Sequence, residues 1–264
     1  MLTALGVAAL MWMQPLPAAA APEPVEADPA IFVIRDHDTT VYLFGTLHVL
    51  SPSLRWFDGP VEEAFAQSDE LVVETLPATN EPATASLPRP AARMSNAASF
   101  LASTQDAVRA GQSRGMALAN GADMVLLRAA AEGGKLVEPL ETLESQFTMI
   151  ARIPGEAAAL SPSASGPLPV SATELSAAMA QLEGAWASGE HGLFTAMLDE
   201  MQASAPDAYR ILFVERNARW SNWVAGRMGQ PGTAFVAIGA AHLAGPDSLL
   251  VRLAQRGMIS RRLR

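Results

Sequence analysis

The chain has 264 residues and half of them are hydrophobic, so it can bury a core as one large domain or two small ones. It carries 18 Lys and Arg residues against 27 Asp and Glu residues, a formal net charge of −9. This balance argues against a nucleic-acid or anionic-membrane surface, because phosphates are bound by clustered basic side chains. The absence of cysteine excludes disulfides, thiolate metal sites, cysteine nucleophiles and a lipid-anchoring cysteine.

Residues 1–21 have the pattern of a secretory signal peptide. An apolar stretch over residues 2–13 is followed by two prolines and by Ala18, Ala19 and Ala20, which form a small-x-small cleavage pattern. The stretch is much shorter than the ~20 residues of a membrane-spanning helix. The alternative is a buried N-terminal helix, which the Pro- and Ala-rich continuation disfavours. We therefore predict a single mature domain over residues 22–264, periplasmic or secreted, without a stable membrane span.

The first half of this domain begins with strands. Residues 31–35 and 40–44 are short β-rich runs that predict a hairpin, and Gly45 ends the second run. A helix is predicted to start near Pro60, and "DELVVE" predicts a strand that ends at Glu74. The Pro-rich residues 76–95 resemble a linker.

The remaining elements are mainly helical. Helical propensity over 96–131 precedes a brief strand at 135–137 and a helix capped by Thr142. After a second linker-like stretch, 154–170, Ser171 and Glu174 form a capping box. A long helix over 206–228, the strand "TAFVAIG", a helix starting at 245–247 and a last strand "MISRRL" complete the order. This order predicts an α+β fold with a central mixed β-sheet flanked by helices.

Two apolar runs, "VYLFGTLHVL" and "AFVAIGAAHL", end in the same Gly-x-x-His pattern, with His48 and His242 as the histidines. Both ends of the domain share the order strand, Gly-x-x-His, helix, strand, which suggests an internal duplication that brings both histidines to one edge of the sheet. A histidine at a strand end can ligate a metal or transfer a proton. The alternative is a histidine that only hydrogen-bonds a neighbouring strand end. Two histidines that follow a strand and a glycine turn in the same way favour a functional role.

Several other polar residues interrupt apolar patterns. Glu74 follows a buried strand, where a carboxylate must be paired or bound to metal unless the strand end is exposed. Asn217 interrupts the apolar face of the long helix, and Arg216 lies on the adjoining stripe. A buried Arg needs a carboxylate partner, so Arg216 is predicted to pair with one of the glutamates. Glu141 lies just before the start of a helix, where the helix dipole stabilises a carboxylate whether or not it takes part in catalysis.

The ordered set of motifs resembles the TraB/GumN-like proteins, related to the Tiki metalloproteases and more distantly to erythromycin esterase-like hydrolases. It consists of "LFGTLHVL", "SDELVVE", "GADMVLLRAA", "GGKLVEPLETLESQ", "LFVERNARW" and "FVAIGAAHLAGPDSLLVRLAQRGM", from about residue 31 to 263. The resemblance implies a metal-dependent site. By matching position, its residues are His48, Glu74, Arg216, Asn217 and His242, with Glu141 as an addition.

The resulting hypothesis is a secreted metal-dependent hydrolase of the protease or peptidase type, with a peptide or protein substrate. His48, Glu74 and His242 would hold manganese, cobalt or zinc, with Glu141 assisting proton transfer. Arg216 and Asn217 would bind the developing oxyanion or orient the carboxylates. One alternative is a non-catalytic envelope protein that binds a metal, haem or a polymer. Another is an accessory factor in polysaccharide production.

Overall fold

The computed structural model describes residues 24–76, 105–154 and 171–263. The predicted signal peptide, residues 1–21, lies outside these ranges, as do most of the predicted linker-like stretches 76–95 and 154–170. Within the described ranges, no helix combines the length and the apolar character that crossing a membrane requires.

The described chain begins with four strands, and helices predominate after the fifth strand. The strands are β1 Val25–Glu26, β2 Ile31–Arg35, β3 Thr39–Thr46, β4 Leu54–Arg55, β5 Glu70–Val73, β6 Leu136–Pro139, β7 Gly232–Gly239 and β8 Arg261–Arg262. The α-helices are α1 Gly59–Gln67, α2 (described over 105–112), α3 Ala122–Glu132, α4 Leu143–Ile150, α5 Ala172–Ala187, α6 Gly192–Ser204, α7 Pro206–Tyr209, α8 Glu215–Arg227 and α9 Leu249–Ala254. Short 3₁₀ turns lie at Leu118–Asn120 and Ala240–Leu243.

The main sheet has the strand order β6-β5-β7-β3-β2-β8. The four strands from β6 to β3 are parallel, whereas β2 pairs antiparallel with both β3 and β8. A second, two-stranded sheet pairs β1 with β4. The predicted hairpin of β2 and β3 is therefore confirmed, and so is the predicted α+β class with a mixed sheet flanked by helices.

The central strands are buried on both faces of the sheet, which explains why they read as continuous apolar runs. On β3, Tyr42 and Phe44 pack into one cluster with Phe235, while Val41 and Leu43 pack into the cluster on the opposite face. Because both faces are covered by helices, the carboxyl ends of these strands are where polar side chains can reach solvent or a ligand.

Local helix signals are mostly confirmed. The Thr142 side chain caps α4, and Ser171 with Glu174 forms the predicted capping box of α5. The helix predicted to start at 245–247 instead begins at Leu249, because the Ser248 side chain accepts the hydrogen bond of the first turn. The predicted long helix contains a π-helical turn, Arg210–Val214, between α7 and α8. Such turns are frequent at functional sites, and this one directly precedes Arg216 and Asn217.

The two Gly-x-x-His units share their first elements and differ at their last strand. β3 and β7 are parallel neighbours, so both motifs leave the same edge of the sheet. After the first motif, β5 joins the parallel part of the sheet beside β7. After the second, β8 is a two-residue antiparallel strand at the far edge. The internal similarity is thus closest where the histidines lie.

Candidate active site

Four polar side chains follow the carboxyl ends of the four parallel strands. Glu141 follows β6, Glu74 follows β5, His242 follows β7 and His48 follows β3. The backbone N–H of Glu141 donates to the carbonyl of Glu74 at 2.9 Å, which extends the β5–β6 pairing to this edge. We call these four residues the edge row. They lie in the order of their strands, at the edge where open α/β sheets commonly bind ligands.

Arg216, on α8, connects three members of the edge row. Its Nη2 donates to Glu74 Oε2 at 2.6 Å, its Nε donates to Glu141 Oε2 at 3.0 Å, and its Nη1 lies 3.1 Å from His242 Nε2. Its side chain is 9 % exposed, and the guanidinium also lies 4.5 Å from the ring centroid of Trp220. The buried arginine therefore has the carboxylate partners that its helix position predicts.

The two carboxylates differ in their further contacts. Burial alone would raise the pKa of Glu74, but the Arg216 guanidinium and the N–H of Gly239 hold it at about 2. Glu74 is consequently ionised at neutral pH. Glu141 is bound by a second arginine, because Arg219 Nη2 donates to its Oε1 at 2.8 Å. The Glu141 carboxylate is therefore held between two guanidiniums.

The network around His242 identifies its tautomer. The Arg216 guanidinium can only donate, so His242 Nε2 accepts and the ring proton lies on Nδ1. Nδ1 lies 2.8 Å from Asn217 Oδ1, and Asn217 Nδ2 donates to the carbonyl of Asp247 at 2.9 Å, which sets the orientation of the amide. Burial lowers the pKa of His242 to about 3, so its imidazole is neutral. Asn217 therefore holds the lone pair of Nε2 toward Arg216 and the edge row.

His48 is the accessible member of the edge row, with 64 % of its side chain exposed. Its Nδ1 lies 2.7 Å from Asp123 Oδ2, and Thr46 Oγ1 donates to the other oxygen of that carboxylate at 2.7 Å. The hydrogen bond to the Asp123 carboxylate raises the pKa of His48 to about 9, so the His48 ring is protonated at neutral pH. Both motif histidines thus have Nδ1 fixed by a side-chain oxygen.

The motif glycines allow the two turns to approach each other. A Cβ on Gly45 would lie 3.0 Å from the Cα of Ala240, in the turn of the second motif. A Cβ on Gly239 would lie 3.2 Å from Glu74 Oε1, which the N–H of Gly239 binds. Glycine at both positions therefore follows from close backbone packing at this edge of the sheet.

Two of the three predicted metal ligands, Glu74 and His242, have the protonation state that binds a divalent ion, whereas His48 would have to lose its ring proton. Metal-bound histidines usually donate their second ring N–H to an oxygen, as the Nδ1 contacts of His48 and His242 allow. Glu74 is ionised and His242 is neutral, which are the forms that bind metals. His242 Nε2 lies 3.8 Å from Glu74 Oε1. Because Arg216 occupies the lone pair of His242 Nε2, an ion bound there requires the guanidinium to move.

The three predicted ligands do not converge on one point in the described side-chain conformations. In the described part of the chain, the group of three whose ligand atoms lie within 4.8 Å of one another is the exposed turn of Asp36, His37 and Asp38. The metal assignment of His48, Glu74 and His242 thus stays a prediction.

The sequence identifies the polar residues at this edge of the sheet but not two residues that hold them. Asp123, the partner of His48, lies 75 positions further along the chain, and its one sequence signal is an acidic residue in the first turn of α3. Arg219 lies three positions after Arg216 on the same face of α8, so helical spacing is its sequence signal, while its contact with Glu141 depends on tertiary packing.

Comparison with known proteins gives one match. A family model described as the TraB/PrgY/gumN family matches residues 30–96 and 83–262. No curated protein and no solved structure matches the chain.

Proposed function

The chain belongs to the TraB/PrgY/gumN family, and we propose that it is a metal-dependent hydrolase of the peptidase type. The observation that carries this proposal is the pair of motif histidines at neighbouring strand ends, each with Nδ1 fixed by a side-chain oxygen. In both rings Nε2 is then the atom that would bind the ion, once Arg216 moves away from His242 and His48 gives up its Nε2 proton. Glu74, on the next strand, supplies an ionised carboxylate beside His242.

His48 and His242, through Nε2, and Glu74 are the residues that would hold the ion. Manganese, cobalt or zinc would supply an acidified water as nucleophile at neutral pH. With no cysteine in the chain, the available donors are nitrogen and oxygen atoms, which suit a borderline or hard ion.

The remaining residues of the site act by positioning and charge. Arg216 neutralises Glu74 and Glu141, and Nη1 and Nη2 each carry a second N–H that can donate to a developing oxyanion. Glu141 keeps Arg216 in place, a role that its two arginine contacts support better than proton transfer. Asn217 fixes the ring orientation of His242.

The test is the thermal midpoint of the chain after chelation and again after addition of manganese, cobalt or zinc. At an ion concentration 100 times the dissociation constant, binding stabilises the folded state by about 2.7 kcal/mol, which raises the midpoint by roughly 5–11 °C. We expect the rise in the unchanged chain and its loss in the His48→Ala/His242→Ala variant. His37→Ala is the matched control, because His37 belongs to the exposed acidic turn.

A rise that disappears in His37→Ala would assign the ion to the surface turn and contradict the proposed site. No rise with any of the three ions would favour the alternative of a non-catalytic envelope protein that binds haem or a polymer.

Location outside the cytoplasm is part of the proposal and rests on the signal-peptide pattern of residues 1–21. N-terminal sequencing of the exported chain tests it.

A further inference from the structure

Asp247 lies in the turn after the second Gly-x-x-His motif and is bound by three side chains. The hydroxyl of Tyr209, a residue that is 4 % exposed, donates to Asp247 Oδ2 at 3.0 Å. Nη2 of Arg252 donates to Asp247 Oδ1 at 3.2 Å. The backbone carbonyl of Asp247 accepts the hydrogen bond of Asn217 Nδ2. Asp247 therefore connects Tyr209 to the amide that binds His242.

The π-helical turn Arg210–Val214 explains why Tyr209 and Asn217 reach the same residue. It lies within one continuous helix, and the N–H of Glu215 donates to the carbonyl of Arg210, five positions earlier. An α-helix turns about 100° per residue, so side chains eight positions apart would lie about 80° apart around its axis. The π turn takes up one extra residue, which brings the two side chains to within roughly 20° of each other. Tyr209 and Asn217 therefore share one face of the helix.

Ring contacts give a second connection between Tyr209 and His242. Phe213, inside the π-helical turn, stacks on Tyr209 with ring centroids 6.0 Å apart and an interplanar angle of 28°. The Phe213 ring also lies 4.9 Å from the His242 ring, and Trp220 contacts the same imidazole at 4.5 Å. The packing of His242 thus depends on the helix segment that carries Tyr209.

The Asp247 carbonyl selects the end of the Asn217 amide that faces His242. In an asparagine side chain Nδ2 can only donate and Oδ1 can only accept. Because Nδ2 is bound to the carbonyl at 2.9 Å, Oδ1 is left for the ring N–H at His242 Nδ1, 2.8 Å away. If the carbonyl moves, the amide loses a contact that distinguishes its two orientations, and the ring N–H loses a fixed acceptor.

We propose that Tyr209 is a positioning residue of the site. Its hydroxyl holds Asp247, and the Asp247 carbonyl holds the Asn217 amide. That amide keeps the His242 ring in place, with its proton on Nδ1 and its Nε2 lone pair toward the edge row. The inference rests on the proposed function, because His242 Nε2 is one of the atoms that would bind the ion. Once Arg216 leaves Nε2, the hydrogen bond at Nδ1 still orients the ring, and Tyr209 stabilises it.

The experiment measures the solvent exchange of the His242 ring proton in the full chain. The chain is labelled with 15N-histidine and kept in chelator, so that neither metal binding nor turnover enters, and the 15N shifts show which ring nitrogen carries the proton. We expect Tyr209→Phe, which removes one hydroxyl and keeps the ring, to speed this exchange at least about fivefold, or about 1 kcal/mol. The reason is that the turn at Asp247 opens more often when it loses this hydrogen bond.

Tyr42→Phe is the matched control. Tyr42 is the other tyrosine of the chain, is also 4 % exposed, and donates from its hydroxyl to Gln67 Oε1 at 3.1 Å. Both substitutions should speed the exchange of the buried β7 amides, which requires global unfolding, but only Tyr209→Phe should speed that of the ring proton.

Asp247→Ala tests the same connection from the partly exposed partner. It keeps the backbone carbonyl but removes the carboxylate that Tyr209 and Arg252 bind, so it should speed the ring exchange at least as much as Tyr209→Phe. Adding Tyr209→Phe to Asp247→Ala should have no further effect, because the hydroxyl acts through Asp247.

Unchanged ring exchange in Tyr209→Phe, or an equal rise in Tyr42→Phe, would overturn the inference. So would a ring proton on Nε2 of His242 in the unchanged chain, or a full additional effect of Tyr209→Phe in the Asp247→Ala chain. Metal binding is scored separately by the thermal midpoint. Faster ring exchange in Tyr209→Phe without any metal-dependent rise would refute the proposed function and keep the positioning role of Tyr209. A metal-dependent rise with unchanged ring exchange would refute that role and keep the metal site.

Discussion

Replacing Arg216 with methionine should destabilise the protein strongly and in a pH-dependent way. Arg216 is 7 % exposed and binds Glu74. In the variant Glu74 loses this arginine partner, whereas Glu141 still binds Arg219. Removing one partner of a buried ion pair leaves an uncompensated charge and costs about 3–5 kcal/mol. For a chain of this size, that corresponds to a fall in thermal midpoint of roughly 6–20 °C.

The pH dependence follows from the Glu74 carboxylate. The pKa of Glu74 is about 2 in the folded protein, below its ordinary value of 4.5. The interactions of the ionised carboxylate therefore stabilise the fold by about 3 kcal/mol above pH 4.5. This stabilisation is lost as the pH falls from 4.5 toward 2. Without Arg216, burial is opposed by fewer favourable contacts and the pKa of Glu74 shifts upward. The variant therefore regains stability relative to the unchanged chain as the pH is lowered from 7 to 4.5, because its carboxylate takes up a proton.

Urea unfolding of the chelated chain at pH 7 and pH 4.5 measures both effects. Arg219→Met is the matched control, because Arg219 also binds Glu141 but half of its side chain is exposed, and such pairs contribute about 0–1 kcal/mol. Equal losses in Arg216→Met and Arg219→Met, or a loss for Arg216→Met that is the same at both pH values, would refute this account.

Two further predictions concern the His48 side of the site. Asp123→Asn should lower the pKa of His48 from about 9 toward 6.5, because the hydrogen bond to a carboxylate is lost; NMR titration of the ring measures it, and an unchanged pKa would contradict the assignment. Gly121→Ala should destabilise the chain by about 1–3 kcal/mol, because the new Cβ would lie 2.6 Å from the carbonyl carbon of His48. Gly184→Ala, with nothing within 4 Å, is its control in urea unfolding, and equal effects of the two substitutions would contradict it.

The elements that the sequence predicts well are those with local signals. The hairpin of β2 and β3, the Thr142 cap and the capping box at Ser171 depend on neighbouring residues, so their patterns are visible in a single chain. The sequence pattern places the start of α9 too early. The helix begins at Leu249 because the Ser248 side chain accepts a hydrogen bond from the N–H of Val251 in the first turn. The π-helical turn at Arg210–Val214 has no marker that periodicity can detect.

Local patterns in the sequence are enough to identify the residue types of the site and the strand ends that carry them. Two Gly-x-x-His motifs after apolar strands, a glutamate after a third strand and an arginine on an amphipathic helix are local patterns. How these residues connect depends on the packing of strands and helices: the sheet order places Glu74 beside His242, and Arg216 bonds to both. The contacts of Asp123 and Arg219 follow from the same packing, because they join residues 75 and 78 positions apart.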